Sequence, residues 1–268
     1  MRGSEDMETN GKCSTGWEEG KKMRHLDLFS GIGGFALAAH MVGGIETVQF
    51  VEIDNYCQKI LAKNFPGVPI HGDITTFTAE PGSADIITFG SPCQDLSSAN
   101  PDGRGLEGER SGLFYEAIRI VRMVQPRFAV FENVPNLLVK DNGIHFQRVL
   151  RAFWESGFDA EWQVVSAASV GAPHLRERVF IVAYPNGSGR EKFDATTISK
   201  EQGHSAGLTT QGRNYWRTEP GVCGVDARFS HRLDRIRGLG NAVVPQVASI
   251  ALQRVLELAQ CYPDQDFS

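Results

Sequence analysis

The residue types best suited to chemistry stand in two short segments. Residues 84–105 read ADIITFGSPCQDLSSANPDGRG. An apolar, strand-like run ends at Gly90, Ser91-Pro92 forces a turn, and Cys93 follows at the start of a polar loop, next to Gln94. Further on, RFAVFENV repeats this geometry and ends in Glu132 and Asn133. Open α/β sheets gather their ligands at the carboxyl ends of the strands. A thiol and a carboxyl group presented at one sheet edge suit covalent attack on a ring that must also be protonated. The plainer alternatives are an inert, half-buried cysteine and a structural carboxylate paired with an arginine. Arg176 and Arg178 in HLRERVF lie two apart at the start of a strand, so both are expected on one face. They suit contact with a buried carbonyl oxygen or a phosphate, or simply form a charged strand edge.

A second constellation looks like a cofactor site. FSGIGGF (Phe29 to Phe35) is a glycine turn between a strand and a helix, with glycines at 31, 33 and 34. Such a turn lets backbone amides approach a ligand, and a helix N-terminus favours negative charge there. Glu52 closes the next strand, where an acid can accept hydrogen bonds from both ribose hydroxyls. Asp73, followed by Ile74 in HGDIT, closes a third short strand, where it can read an adenine amino group. The three strand ends point to an adenosine-containing cofactor, either nicotinamide or S-adenosylmethionine. Gly240-Asn241-Ala242-Val243, before Pro245, reads as a turn into the last helix.

The elements that must position these residues alternate. HLDLF, ETVQFVE, ADIITFG and RFAVFENV read as strands. GFALAAHMV, DNYCQKILAKNF with Asp54 as N-cap, RSGLFYEAIRIVRMV and IHFQRVLRAFWESGF read as helices. DAEWQVVSAA and ERVFIVAYP add two strands, and PQVASIALQRVLELAQ a terminal helix. Alternation through Tyr184 predicts an α/β fold, a doubly wound and mostly parallel sheet covered on both faces. The expected organisation is a polar, disordered tail over 1–23 and a catalytic and cofactor-binding domain over 24–184. A small irregular insert over 185–230 and a segment over 231–262 returning to the domain complete it.

Composition narrows the class. With 268 residues, 41% of them apolar and 16 of them Phe, the chain can fill one large core. No apolar run approaches the roughly 18 residues of a membrane span, and the first residues lack the apolar stretch of a secretory signal. Five cysteines (13, 57, 93, 223 and 261) without CxxC spacing argue against a disulfide framework or a zinc site. No metal is expected, and a reducing cytoplasm is. The net charge of −5 speaks weakly against nucleic acid, but residues 184–240 carry nine Lys/Arg against six Asp/Glu. That basic share falls in the irregular segment, as a phosphate-contacting insert would have it.

DLFSGIGG, Glu52, GDI, GSPCQ, FENV, RER and LGNAVVPQ occur in this order across residues 26 to about 248. In this ordered set the chain resembles the cytosine-5 DNA methyltransferases of bacteria and phages. The resemblance implies a Rossmann-like, S-adenosylmethionine-dependent fold with a target-recognition insert. Phe29, Gly31, Gly33 and Gly34 would cradle the methionine part of S-adenosyl-L-methionine, and Glu52 would hold its ribose. Ile53, Asp73 and Ile74 would flank the adenine, and Asn241 and Val243 would complete the pocket. Cys93 would be the nucleophile in Pro92-Cys93-Gln94, and Glu132 beside Asn133 would contact the cytosine. Arg178 would bind near the ring oxygen, with Arg176 and Gln94 in support. The partner would be double-stranded DNA, touched by Ser97, Arg190, Lys192, Arg213, Trp216 and Arg217. A monomer in the cytoplasm of a bacterial or phage-infected cell is expected. Its role would be restriction–modification, beside a separately acting endonuclease, or phage self-protection.

Three rival readings remain: a transfer-RNA cytosine methyltransferase on the same domain, a nicotinamide oxidoreductase, and a catalytically dead DNA-binding regulator. The first lacks the Cys-Phe-Thr signature in its substrate-reading region. The second leaves PCQ, ENV and RER unexplained, and the third is disfavoured by intact Cys93, Glu132 and Arg178.

Overall fold

The computed structural model describes residues 21–91, 112–186 and 242–261. Pro92, Cys93, Gln94, Ser97, Arg190, Lys192, Arg213, Trp216, Arg217 and Asn241 lie outside the described residues, as do nearly all of the expected tail and insert.

Burial dictates the sheet. Strands β4 (Ile86–Phe89) and β5 (Phe128–Asn133) are buried at every position, the pattern of strands covered on both faces. They lie mid-sheet in the order β3-β2-β1-β4-β5-β7-β6. β1 spans Met23–Leu28, β2 Ile45–Val51, β3 Ile70–His71, β6 Phe158–Ser166 and β7 Glu177–Pro185. The first five strands pair in parallel, and β7 runs antiparallel to both β5 and β6. The mostly parallel α/β expectation therefore holds. The strict strand–helix alternation fails at β6 and β7, which are joined by a short 3-10 turn at Ala167–Val170. An antiparallel pair needs no crossover helix, so a short connection suffices.

Among the described residues five α-helices cover the sheet: α1 (Gly34–Val42), α2 (Asn55–Asn64), α3 (Gly112–Val124), α4 (Ile144–Trp154) and α5 (Pro245–Cys261). Asp54 caps α2 as expected, its carboxylate accepting from the Tyr56 and Cys57 amides at 2.9 and 3.0 Å. One core packs Phe114, Ile118 and Val121 of α3 and Val149 and Phe153 of α4 against Phe89 and Phe131 of the sheet. The second packs Phe35 and Ala38 of α1 and Val247, Leu252 and Val255 of α5 against Phe128, Val130 and Phe180. Arg254 of α5 also pairs with Glu161 of β6. The returning helix is thus part of the sheet's cover. Among the described residues no helix is long and apolar enough to cross a membrane.

Register places the site. Val51, Leu28, Phe89 and Phe131 are consecutive partners across β2, β1, β4 and β5. The residues that follow them, Glu52, Phe29, Gly90 and Glu132, therefore line one edge of the sheet. β7 starts at that edge, because Glu132 faces Phe180 and Asn133 faces Val179.

Candidate active site

Glu132 is the centre of the described part of the site. It follows Phe131, whose ring stacks on Phe89 at 5.0 Å and packs on Phe114 at 5.2 Å. Those rings hold the ends of β4 and β5 side by side. The carboxyl group is 8% exposed, and Arg178 Nε lies 2.9 Å from its Oε1. Its other oxygen, Oε2, sits 3.0 Å from where a Cβ on Gly90 would be. Glycine at 90 thus leaves room for the acid. Burial pushes the Glu132 carboxyl up from its ordinary value, and the charges of Arg178 and Arg176 oppose that rise. The site therefore holds an acid biased toward keeping its proton, with a cation against it. β4 ends beside Glu132 and leads through Gly90 and Ser91 toward Pro92-Cys93.

Strand alternation does not position Arg176. Arg176 precedes β7 and has φ 23°, outside the extended region. Its guanidinium donates to the Ala242 carbonyl at 2.9 Å, while Arg178 donates to the Glu177 carbonyl at 2.7 Å as well as pairing with Glu132. Their charges act on each other and both act on Glu132. Asn133 is fully buried. Its Oδ1 accepts from the Val134 amide at 2.8 Å, and its amide nitrogen has no hydrogen-bond partner among the described residues.

The cofactor-type edge is built from backbone. Phe29 adopts φ 53°, rare for a bulky residue and typical of a turn held by its surroundings. Ser30 Oγ donates to the Asp27 carbonyl at 2.6 Å and locks that turn. Glu52, 9% exposed, accepts from the Gly31 amide at 2.6 Å and from the Asp54 amide at 2.8 Å. Burial raises its pKa, and those amides partly offset the rise. The carboxylate keeps acceptor capacity for a ligand hydroxyl. Among the described residues nothing lies within 4 Å of a Cβ built on Gly31. Ile53, beside the buried acid, is an apolar side chain 72% exposed. Open space at the turn, a fixed acid and an apolar face fit a nucleoside with a charged tail. Asp73 has one oxygen already occupied by the Thr75 amide and hydroxyl at 2.9 and 2.8 Å, and those bonds hold its carboxyl below the usual range.

Gly33 and Gly34 act differently from Gly31. A Cβ on Gly33 would lie 2.6 Å from the Phe65 ring, and one on Gly34 would lie 2.5 Å from the Val243 carbonyl. These two glycines permit close packing, Gly34 against the returning C-terminal segment. Val243 thereby reaches the turn.

Two features escaped the sequence reading. Arg119 of α3 pairs with Glu116 at 2.7 Å and donates to the Ile74 and Phe77 carbonyls at 2.8 and 3.1 Å, holding the segment that carries Asp73 and Ile74. It reads as one more exposed helix charge, and nothing in its spacing signals the contact. The second is a buried polar chain across the sheet. Thr88 Oγ1 donates to Asp27 Oδ1 at 2.9 Å, so His25 Nε2 donates to Thr88 Oγ1 at 2.7 Å, and Nδ1 accepts from Thr47 Oγ1 at 2.8 Å. Burial pushes His25 down to about 3 and Asp27 up to about 8. Asp in DLF is the one legible hint, a charge inside an apolar strand.

The comparisons agree with this geometry. The model of the C-5 cytosine-specific DNA methylase family matches residues 23–217. The type II methyltransferase M.HgiCII of Herpetosiphon aurantiacus is 33% identical over 185 residues, 68% of this chain and 42% of that protein. M.HhaI of Haemophilus parahaemolyticus is 34% identical over 172 residues, 64% of this chain and 52% of that protein. The chain spans about half the length of the curated relatives it matches. A prophage-encoded DNA modification methyltransferase from E. coli superposes with a TM-score of 0.51 at 27% identity, covering 61% of this chain and 47% of that one. The fold is thus that of the Rossmann-like, S-adenosylmethionine-dependent methyltransferases, and the chain belongs to the C-5 cytosine-specific DNA methylase family.

Proposed function

We propose that this chain transfers a methyl group from S-adenosyl-L-methionine to carbon 5 of a cytosine flipped out of a short duplex DNA site, through a covalent adduct with Cys93. The observation that carries the reading is the buried Glu132–Arg178 pair at 2.9 Å, beside the strand that leads into Pro92-Cys93-Gln94. The relatives are named as type II methyltransferases, which favours restriction–modification or phage self-protection as the setting.

Carbon 5 of cytosine is a poor nucleophile. Addition of the Cys93 thiolate to carbon 6 pushes the ring electrons toward carbon 5 and nitrogen 3. Glu132, whose protonated form burial favours, would donate to nitrogen 3 and make that addition easier. Arg178 stabilises charge developing at the ring oxygen. It also shares, with Arg176, the field that favours a thiolate nearby. Once carbon 5 has taken the methyl, loss of its proton to a base re-forms the 5,6 double bond and lets the Cys93 thiolate leave. Asn133, behind the acid, and Gln94, beside the thiol, support these two groups. A stacked base cannot reach this edge, so the target must leave the helix.

The residues at the cofactor-type edge fit S-adenosyl-L-methionine. Phe29 and Gly31 would take its methionine part, with Gly33 and Gly34 shaping that turn, and Glu52 would take the ribose hydroxyls. Ile53, Asp73 and Ile74 would take the adenine, and Asn241 and Val243 would close the pocket. When bound, the group supplies an electrophilic methyl on a sulfonium sulfur. Double-stranded DNA is the proposed partner, read by the segment over 185–230 through Arg190, Lys192, Arg213, Trp216 and Arg217, with Ser97 beside the thiol loop. The proposed setting is a cytoplasmic monomer whose endonuclease, where there is one, acts separately.

The test is expression in a methylation-deficient bacterium, followed by bisulfite sequencing of its DNA, with Cys93→Ala in parallel. Protected cytosines in one short motif, absent with Cys93→Ala, are expected. Unprotected DNA from folded protein, with methyl transfer to transfer RNA instead, would move the substrate to RNA.

A further inference from the structure

We propose that Arg176 is a positioning residue that ties the returning C-terminal segment to the catalytic edge, so that one guanidinium sets both the wall of the glycine turn and the charge beside Glu132. Its functional consequence rests on the methyl-transfer reading above.

The contacts converge on two residues. Arg176 Nη2 donates to the Ala242 carbonyl at 2.9 Å across 66 residues of sequence. The next residue, Val243, places its carbonyl 2.5 Å from where a Cβ on Gly34 would be. The segment therefore lies between the arginine and the first residue of α1, with no slack toward the turn. The charge of Arg176 also bears on Glu132. Arg178 and Arg176 are the charged groups acting on that carboxyl among the described residues, while Gly90 and Ser91 of the adjoining strand end bring no charge. The φ of 23° at Arg176 is strained for an L residue, and such a conformation persists where surrounding contacts impose it. The hydrogen bond to Ala242 is one such contact. The family match ends at residue 217, so this tether joins the matched region to a segment beyond it.

Two variants of the full chain separate the roles. Arg176→Gln removes both the charge and the fork. Arg176→Lys keeps the charge near Glu132 and gives up the fork that reaches Ala242. Three readouts apply: hydrogen exchange of the Val247 and Ala248 amides, which bond to the Val244 carbonyl; calorimetric binding of S-adenosyl-L-methionine; and the alkaline limb of the pH–rate profile. Both variants should speed exchange and weaken binding, roughly fivefold to tenfold for one lost hydrogen bond. Only Arg176→Gln should move the alkaline limb upward, because one of the cations that hold Glu132 down is gone. Wild-type exchange and binding in both variants would overturn the proposal. Should Arg176→Gln not fold, Arg176→Lys decides on the first two readouts alone. Absence of cofactor binding by the wild-type chain would sink the methyl-transfer reading instead, while exchange still tests the tether.

Discussion

Replacing Asp27 by Asn should flatten the pH dependence of stability and stabilise the protein at neutral pH. Asp27 is fully buried, accepts one hydrogen bond from Thr88, and has no partner at Oδ2 among the described residues. Burial, and secondarily the nearby Glu52 charge, pushes its pKa to about 8 from an ordinary 3.8. The folded chain therefore keeps a proton that the unfolded chain releases across that window. Unfolding then sheds a proton, and stability falls as pH rises, by about 1.4 kcal/mol per pH unit. At pH 7 this term costs the folded state on the order of 4 kcal/mol. His25 works in the opposite direction but only below its ordinary pKa of 6.5, because it is neutral in both states above that. Between pH 6.5 and 8 Asp27 is thus the partner in this chain whose protonation changes on unfolding. Asn keeps the oxygen that Thr88 needs and does not titrate. Its amide meets no partner, at a cost of about 1–3 kcal/mol, much of which a protonated Asp already bears. Urea unfolding of both proteins at pH 6.5, 7.2 and 8 measures the difference. The gap between them should widen in favour of Asn by about 2 kcal/mol over that range. Parallel lines would mean that Asp27 is ionised in the folded protein and would refute the reasoning.

Gly34→Ala forces a methyl group against the Val243 carbonyl. A loss of about 1–3 kcal/mol is expected by thermal unfolding, with weaker S-adenosyl-L-methionine binding by calorimetry. Phe131→Ala removes the ring stacked on Phe89 and packed on Phe114. It should cost about 3–5 kcal/mol in urea unfolding. Arg178→Met takes away the ion pair that holds Glu132 down. The acid then keeps its proton to higher pH, so the alkaline limb of the pH–rate profile should move upward while the maximal rate falls. An unchanged limb would remove Glu132 as the titrating acid.

The framework was legible because burial and periodicity spoke together. Helix α1 over Gly34–Val42 and the Asp54 cap of α2 stand where the pattern placed them. The apolar runs of β4 and β5 read as strands ending in Gly90 and Glu132, and their pairing brought Glu132 beside the strand leading to Cys93. What sequence did not reveal depends on contacts between distant segments. Nothing near Arg176 announces the Ala242 carbonyl, and nothing in α3 announces that Arg119 holds the Ile74 and Phe77 carbonyls. Gly33 and Gly34 looked like ligand glycines because a nucleotide and a packed neighbour demand the same missing Cβ. Only the positions of Phe65 and Val243 separate the two cases. The antiparallel β6–β7 pair escaped the alternation because a short 3-10 turn leaves no helical periodicity to read.

The central claim is covalent catalysis by Cys93 on a flipped cytosine. Its most direct test is incubation of the full chain with S-adenosyl-L-methionine and duplex DNA carrying 5-fluorocytosine at the protected motif. Fluorine at carbon 5 blocks the proton loss that releases the enzyme, so an adduct should accumulate. The account predicts a denaturation-resistant protein–DNA complex whose mass places the nucleotide on Cys93, and none with Cys93→Ala. A chain that methylates the motif yet forms no adduct, or forms one through another residue, would contradict it.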